Sequence, residues 1–484
     1  MPEVTDKSPA DEVKARRKEA SHERWCQRFA RWTQTALLAE AFLLALWPTG
    51  ATIALLAGVV LLIIRFCIDK NFKFRHLPLD VPATLFAVIG AASILVSPDR
   101  NFSLYNYYNL VGVYVLTYVL AGQVLRERQQ VKKLLAVSAA AAVLVILYGF
   151  YQFIFGIDTA SMKWVDGDAF PELKKRVFST WENPNILAGY LDIVICMAFG
   201  LLVRSGSKEQ RILMGVLMLS GAACLAMTYA RGALLVIAII IAVYGVFRDW
   251  RVLAGCAGVA FVALLADPVL YDRGLSVFTK VDTSMEMRMA LWESTVAMIQ
   301  DHPFLGIGWG AYYMVYPEYD FYLQGAPVLI VHAHNVYLNY AAEIGLPGML
   351  AFCWFFFGTI WLAFSARFEA PNEPLLLPGP FTLSQGAADA ELAEVVRSLE
   401  AQMPRQARQF WKLALYWPEQ RLLSGCALGL GLALVSVALN GLTDDLLFNI
   451  PTSMLLWLMA ALAGVLTLMQ ALPVEEGESG GSEN

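Results

Sequence analysis

Three of the five histidines in the chain lie in one long polar stretch between apolar runs, at His302, His332 and His334. An imidazole titrates near physiological pH, so it can accept a proton from a hydroxyl as a general base. If a helix begins near Asn335, His334 lies at the helix N-terminus, where the helix dipole favours anions. This placement predicts that His334 is a catalytic base beside a bound anion.

Three arginines occur in or beside the same polar stretches. Arg176 ends the run LKKR, Arg231 lies in TYARGALL, and Arg288 lies in SMEMRMALW. A single arginine at the end of a membrane helix more often extends to the lipid headgroups. Because several arginines accompany three histidines here, we predict an anion-binding site, in which guanidinium groups pair with phosphate oxygens.

Other polar residues near these groups are candidates for supporting roles. Asn335, Asn339 and Glu343 fall on one stripe of a helix, at i, i+4 and i+8. Asn183 and Asn185 either contact the substrate or cap the helix that follows them. The full set of predicted supporting residues is Asn335, His332, Asn183, Asn185, Tyr337 and Glu343.

A second polar turn, residues 440–449, contains Asp444 and Asp445. These carboxylates either line the same cavity as the histidines or belong to a solvated hairpin. The sequence slightly favours the solvated hairpin.

The histidines do not have the spacing of a metal site. His332 and His334 are two residues apart, and the chain has neither an HExxH motif nor a cysteine near them. We therefore predict no metal and no cofactor. The segment 306–310, GIGWG, resembles a nucleotide loop, but no strand precedes it, so it predicts only a tight loop whose N–H groups could touch phosphate.

Four aromatic residues near the histidines have two interpretations. They could stack on sugar rings, or they could belong to the aromatic belt at the membrane interface, which is the default. These residues are Trp292, Trp309, Tyr312 and Tyr313.

The composition places this chemistry in a membrane protein. The 484 residues are 58% hydrophobic and only 16% charged, with a mean hydropathy of +0.53. Soluble chains have about 25% charged residues. The apolar residues form long runs such as 51–64 and 232–247, which is typical of helices that cross a bilayer. The composition excludes a soluble enzyme, a nucleic-acid-binding module and a secreted disulfide scaffold.

We predict an all-α polytopic membrane protein with about 12 transmembrane helices and a large helical loop on the extracytoplasmic side before span 10. The spans lie near residues 33–48, 50–68, 81–97, 104–125, 132–155, 186–204, 211–229, 232–248, 252–267, 346–366, 422–442 and 451–470. Of the 36 Lys and Arg residues, 27 fall in segments that are cytoplasmic if the N-terminus is inside. The positive-inside rule therefore predicts cytoplasmic N- and C-termini.

This topology divides the chain into segments. They are a basic cytoplasmic N-terminus (1–32), spans 1–9 (33–266) with an outside loop at 156–184, an outside catalytic loop (267–345), span 10 (346–366), a cytoplasmic insert (367–420), spans 11–12 (421–472) and a disordered acidic tail (473–484). The insert has a Pro-rich start and is interpreted as a cytoplasmic hairpin, with regulation or partner docking as the weaker alternative.

A transport function is the alternative from a different class. It rests on Glu40 in span 1 and Asp192 in span 6, because carboxylates inside a membrane are costly and often functional. Two acidic residues make a sparse ion pathway, and no paired broken-helix motif is visible. Transport therefore ranks second.

Taken in order, the outside motifs resemble those of the O-antigen ligase and polymerase superfamily of membrane glycosyltransferases. The matching motifs are FSTWENPNILAG at 178–189, TYARG at 228–232, RMALW at 288–292, HPFLGIGWG at 302–310, and HNVYL at 334–338 followed by EIG at 343–345. The motifs cover roughly residues 178–348, and the predicted topology extends the resemblance to most of the chain. The insert 367–420 lies outside the pattern.

The resemblance implies a GT-C-like glycosyltransferase of the bacterial inner membrane with a periplasmic active site. Its donor would be a glycan on undecaprenyl diphosphate, its acceptor a hydroxyl of the lipid A core oligosaccharide, and its surroundings membrane lipids, with no nucleic acid, nucleotide sugar or metal involved. His334 would be the general base, and Arg231 and Arg288 would bind the diphosphate. Arg176 could add a third phosphate contact or belong to a basic patch at the membrane surface.

Three activities share these motifs: ligation to lipid A core, polymerisation of O-antigen repeats, and transfer to a protein hydroxyl. One dominant late outside loop favours the ligase over the polymerase. The lack of a further outside domain after span 12 argues modestly against the protein transferase. We therefore expect a ligase.

Overall fold

The computed structural model describes residues 9–156, 176–266, 283–321, 330–368, 419–447 and 449–470. Within these ranges the protein is all-α and has no β-strand. The helices are α1 Pro9–Leu43, α2 Pro48–Ile68, α3 Asp80–Ser93, α4 Arg100–Tyr107, α5 Val115–Val124, α6 Arg128–Phe155, α7 Pro184–Val203, α8 Lys208–Met227, α9 Arg231–Phe247, α10 Trp250–Ala266, α11 Thr283–Asp301, α12 Tyr312–Val315, α13 Val336–Ser365, α14 Glu419–Asn440 and α15 Ile450–Gln470. A π-helical turn, Tyr108–Gly112, lies between α4 and α5.

Each of the twelve predicted spans coincides with a helix, or with a helix interrupted by one turn. Seven of the described helices are long and apolar enough to cross a membrane, namely α2, α6, α7, α8, α13, α14 and α15. The shorter apolar segments Asp80–Val96 and Arg231–Phe247 accompany them. The prediction of an all-α polytopic membrane protein is therefore confirmed.

The boundaries at the N-terminus differ from the prediction. Helix α1 continues from the basic segment into the apolar one and ends at Leu43, five residues before the predicted end of span 1. Pro48 then begins α2. Residues 369–418 of the predicted cytoplasmic insert (367–420) and all of the predicted acidic tail (473–484) lie outside the described residues.

Small residues bring α7 and α14 into close contact. Gly200 on α7 faces the backbone of Gly425 and Gly429 on α14, and a Cβ atom on Gly200 would collide with that backbone. Gly425 and Gly429 form a GxxxG pattern, which allows membrane helices to approach closely. This contact fixes α7 beside the helix that leads into the turn containing Asp444.

Helix α13 has a defined start and a sharp bend. The Asn335 side chain caps its N-terminus by accepting hydrogen bonds from the N–H groups of Tyr337 and Leu338, both at 3.0 Å. The predicted helix start near Asn335 is therefore confirmed. The bend is at Gly345, whose φ of 73° belongs to the left-handed region, and a Cβ atom there would collide with the Phe304 carbonyl group.

The glycine loop 306–310 packs against this bend. The N–H groups of Ile307 and Gly308 donate to the carbonyl oxygens of Ala342 and Glu343, at 2.8 and 3.0 Å. Gly310 N–H donates to the Glu343 side chain at 2.9 Å. The expectation that these N–H groups are free to touch phosphate is wrong, because α13 already accepts their hydrogen bonds.

Two of the aromatic residues considered for sugar stacking belong to the protein interior. Trp309 is buried against Phe86, Tyr107 and Tyr340. Tyr312 is fully buried, and its hydroxyl group shares a hydrogen bond with a threonine of α11. Neither side chain is available to a sugar ring or to the membrane interface.

Candidate active site

The centre of the site is a contact between His334 and Asp444. Nδ1 of His334 lies 3.2 Å from Oδ1 of Asp444, which belongs to the turn between α14 and α15. The His334 side chain is 38% exposed, whereas that of Asp444 is 20% exposed. The hydrogen bond to the more buried carboxylate holds the His334 imidazole in place, while the other edge of the ring stays accessible.

His332 packs directly against His334. The two ring centroids are 4.2 Å apart, and the His334 backbone N–H donates to Nδ1 of His332 at 3.2 Å. Burial, together with the neighbouring His334, lowers the pKa of His332 to about 3. His332 is therefore neutral at physiological pH and can accept this hydrogen bond.

Asp444 is ionised in this environment. Burial alone would raise its pKa, but the hydrogen bond from His334 and electrostatic interactions with the two imidazoles and Arg288 outweigh burial and hold the pKa at about 2. An ionised carboxylate only accepts hydrogen bonds. In the neutral form of the imidazole, Nδ1 of His334 then carries the proton, and Nε2 keeps its lone pair.

Helix α11 brings Arg288 to this pair. Its charge makes a small contribution to the lowered pKa of both Asp444 and His332, so Arg288 lies within electrostatic range of them. Trp292 follows one turn later, on the same face, and its Nε1 donates to the Ala333 carbonyl oxygen at 3.1 Å. This hydrogen bond fixes α11 against the segment that carries the histidines.

Asn185 connects the site to Arg176. Its Nδ2 donates to Oδ2 of Asp444 at 3.2 Å, and its Oδ1 accepts a hydrogen bond from Arg176 at 2.6 Å. Arg176 also donates from Nε to the Thr228 carbonyl oxygen at 2.7 Å. A chain of hydrogen bonds therefore joins the turn after α8 to His334.

Arg231 is the first residue of α9, directly after that turn. The turn is closed by Thr228, whose hydroxyl group accepts from Ala230 N–H at 3.2 Å. The next residue, Gly232, faces Thr443, the neighbour of Asp444. The fold therefore places the start of α9 beside the hairpin, and the helix N-terminus adds a partial positive charge there.

A comparison with protein families identifies this region. Residues 213–353, from α8 to the middle of α13, match the family model described as O-antigen ligase. This match supports membership of the O-antigen ligase/polymerase superfamily. No curated protein matches the chain. The matched family suggests a membrane glycosyltransferase-like enzyme, and it implies lipid-linked glycan and lipid substrates in general.

The superfamily match includes some site residues and leaves others out. Arg231, Arg288 and His334 lie within it, whereas Asn185 and Asp444 lie outside. The slight preference for a solvated hairpin at 440–449 is wrong for both carboxylates. Asp444 contacts His334, and Asp445 is buried, with a pKa that burial raises to about 7 although Leu447 N–H opposes the shift.

Several predicted supporting residues hold the backbone of the site. Asn183 caps α7 by accepting from Asn185 N–H at 2.8 Å, so the capping alternative is confirmed for Asn183. Asn335 caps α13 and donates to the Leu442 carbonyl oxygen at 3.0 Å. The Tyr337 hydroxyl group donates to the Ala438 carbonyl oxygen at 3.0 Å. Asn335 and Tyr337 thus fix α13 to the hairpin that contains Asp444.

The predicted stripe of Asn335, Asn339 and Glu343 does not face a single cavity, since Asn335 caps α13. Asn339 and Glu343 face a cavity of about 70 Å³ that Asp445 also lines, behind the histidines.

His302 lies at the end of α11 beside another cavity, with Asp301 and Glu318. The structure therefore brings His332 and His334 together and places His302 elsewhere.

Backbone strain is concentrated in the motif segments. Among the residues that the structure describes, four residues other than glycine have a positive φ: Ser179, Glu182, Tyr229 and His334. All four lie in or next to the motifs at 178–189, 228–232 and 334–338. Such conformations cost about 1–3 kcal/mol each and are commonest at functional sites.

The same cluster has the geometry to bind a metal ion. His332, His334 and Asp444 offer ligand atoms that all lie within 4.8 Å of one another. The positive charge of Arg288 beside them opposes a cation, and the Asp444 carboxylate already accepts hydrogen bonds from Asn185 and His334.

Proposed function

We propose that the protein transfers an O-antigen glycan from undecaprenyl diphosphate to a hydroxyl of the lipid A core, at the periplasmic face of the bacterial inner membrane. The observation that carries this proposal is the contact between His334 and the ionised Asp444, at the end of the helix bundle where α9 begins and within electrostatic range of Arg288. The superfamily match supports the lipid-linked glycan as the class of donor.

In the proposed reaction, His334 is the general base. Its Nδ1–H donates to Asp444, so Nε2 takes the proton of the acceptor hydroxyl group as the oxygen bonds to the anomeric carbon. General-base catalysis of this kind contributes about 10²–10⁴-fold to the rate. Asp444 stabilises the imidazolium that forms and holds the ring in the required tautomer.

The leaving group is the lipid diphosphate. The bond between the anomeric carbon and the phosphate oxygen breaks, its electron pair leaves with the diphosphate, and attack from the opposite face inverts the configuration. Arg231 and Arg288 bind the diphosphate and offset the negative charge that develops on it, with Arg176 as a third candidate. The diphosphate itself activates the sugar, so the reaction needs no nucleotide, metal or other cofactor.

Ligation is preferred among the activities of the superfamily because the sequence has one dominant late outside loop. Polymerisation of O-antigen repeats and transfer to a protein hydroxyl are the alternatives on the same motifs. For transport, Glu40 and Asp192 are the relevant carboxylates. Each is fully buried and hydrogen-bonded to a neighbouring helix, through Thr117 and Asn440 respectively, which supports structural roles for both.

The deciding experiment is the substitution His334→Ala in cells that lack any other ligase. We expect glycan-capped lipopolysaccharide to disappear while the polymerised lipid-linked donor accumulates. His302→Ala is the matched control, because His302 lies away from Asp444, and it should retain capping. Capped lipopolysaccharide in the His334→Ala strain would show that the proposed base is wrong.

A reconstitution distinguishes the activities from one another. Purified protein is incubated with lipid-linked glycan and rough lipopolysaccharide, without added metal or nucleotide. Glycan on lipopolysaccharide indicates the ligase, and longer lipid-linked chains indicate the polymerase.

A further inference from the structure

Helix α7 presents a stripe of three residues to the hairpin 440–447. Asn185, Gly189 and Asp192 are spaced so that they share one helix face. Asn185 contacts Asp444, and Gly189 leaves room for the side chain of Leu446, which a Cβ atom would strike. Asp192, two turns below Asn185, accepts a hydrogen bond from Nδ2 of Asn440 at 2.8 Å. Asp192 therefore contacts the start of the hairpin, at Asn440. Asn185 contacts it at Asp444, and Gly189 contacts it beyond that residue, at Leu446.

Asn440 is the residue from which the turn begins. Its carbonyl oxygen accepts hydrogen bonds from Thr443 N–H at 3.0 Å and from Asp444 N–H at 2.9 Å. Its side-chain amide donates both to Asp192 and to the Ser436 carbonyl oxygen. The position of the Asp444 backbone therefore depends on Asn440, and Asn440 is held on the α7 side by Asp192.

Asp192 is fully buried within a membrane-spanning helix, where a polar group without a partner is costly. An apolar side chain at this position would leave the amide of Asn440 with one acceptor fewer, and a buried donor without a partner destabilises its surroundings. The hydrogen bond between Asp192 and Asn440 thus constrains the hairpin. It gives a structural role to the Asp192 carboxyl group, which takes no part in the proposed glycosyl transfer.

We propose that Asp192 is a positioning residue, which acts through Asn440 to hold Asp444 at hydrogen-bonding distance from His334. The expected effect on kcat rests on the proposed function. The expected effect on the order of the hairpin does not depend on that function. Small displacements of catalytic groups cost up to about 10²-fold in rate, so loss of this contact should be visible mainly in kcat.

The test compares two substitutions of one residue. Asp192→Leu removes the acceptor at similar size, whereas Asp192→Asn keeps an oxygen that Asn440 can bond. We expect Asp192→Leu to lower kcat about 10- to 100-fold, with KM for donor and acceptor within about threefold of the wild-type values. Asp192→Asn should retain kcat within about threefold of the wild-type value.

Glu40→Leu is the matched control. Glu40 is an equally buried carboxyl group whose hydrogen bond goes to Thr117 on α5. Activity per folded protein should stay near the wild-type value in this variant, with folding checked by size exclusion. If Asp192→Leu does not fold, Asn440→Leu removes the same hydrogen bond from the other side and should lower kcat similarly.

Hydrogen–deuterium exchange provides a readout that needs no substrate. The amides of Thr443 and Asp444 should exchange faster in Asp192→Leu than in wild type. Their exchange rates in Glu40→Leu should equal those of the wild type. If the wild-type protein transfers no glycan, the proposed function fails while this exchange measurement still decides the inference. Unchanged exchange, wild-type kcat in Asp192→Leu, or equal losses in Asp192→Leu and Asp192→Asn would overturn it.

Discussion

Oδ1 of Asp444 lies 3.2 Å from Nδ1 of His334, although 110 positions separate the two residues in the chain. The contact pairs the proposed base with a carboxylate that can fix its tautomer. It also brings the turn between α14 and α15 into the candidate site, together with α11, α13 and the start of α7.

The first prediction concerns this contact. Asp444→Asn keeps the size of the side chain but removes the charge that stabilises an imidazolium at His334. We expect kcat to fall at least about 10²-fold, by analogy with the loss of general-base catalysis, and KM for the acceptor to change little. Steady-state kinetics with rough lipopolysaccharide checks this result, and a wild-type kcat in Asp444→Asn would remove Asp444 from the mechanism.

The second prediction concerns the arginines. Arg288→Ala and Arg231→Ala should each lower the transfer rate about 10²–10³-fold, the usual effect of removing one group that stabilises developing charge. Lysine at either position should restore part of the rate, because it keeps the charge but not the paired geometry of a guanidinium. The control is Arg248→Ala, at the opposite end of α9 from Arg231, and it should leave the rate unchanged.

The third prediction concerns the dependence of stability on pH. Burial raises the pKa of Asp445 to about 7, from about 3.9 in an unfolded chain. The folded protein then binds a proton more tightly than the unfolded chain does, so Asp445 lowers stability as the pH rises from about 4 to about 7. Asp445→Asn removes this loss.

Thermal unfolding of the wild type and of Asp445→Asn, measured from pH 4 to pH 8, checks the prediction. The variant should gain stability relative to the wild type as the pH rises, reaching a difference of a few kcal/mol near pH 7, at about 1.36 kcal/mol per pKa unit. Parallel unfolding curves across this range would mean that Asp445 is not held neutral.

The fourth prediction concerns the bend in α13. Gly345→Ala should lower the free energy of unfolding by about 1–3 kcal/mol, because φ is 73° and the new Cβ atom would strike the Phe304 carbonyl group. Gly255→Ala in α10 is the control, since no atom lies within 4 Å of the added Cβ atom. It should be neutral or slightly stabilising, and equal losses in both variants would contradict this account of the bend.

The fifth prediction concerns metal ions. His332, His334 and Asp444 lie close enough to share an ion, but the charge of Arg288 opposes one. We expect glycan transfer by the purified protein to continue in excess EDTA. Loss of activity in EDTA that zinc restores would instead establish a catalytic metal at this cluster.

The sequence alone determined the membrane class, the helical fold and the approximate position of the long apolar helices. These properties depend on runs of hydrophobic residues that are contiguous in the sequence. The cap at Asn183 and the start of α13 near Asn335 were predictable for the same reason, because a helix start depends on residues within one helical turn. The motifs also indicated His334, Arg231 and Arg288 before any geometry was known.

Only the tertiary structure decided how these groups meet. The glycine loop resembled a phosphate-binding loop until the bend of α13 was seen to accept its N–H groups. Asp444 and Asp445 looked like part of a solvated turn, because two adjacent carboxylates after a helix are usually exposed. Their burial depends on the packing of α7 against α14 and on hydrogen bonds from Asn335 and Asn185, which lie far away in sequence. Such contacts leave no periodic pattern in a single sequence, so the partner of the proposed base was visible only once the helices were packed together.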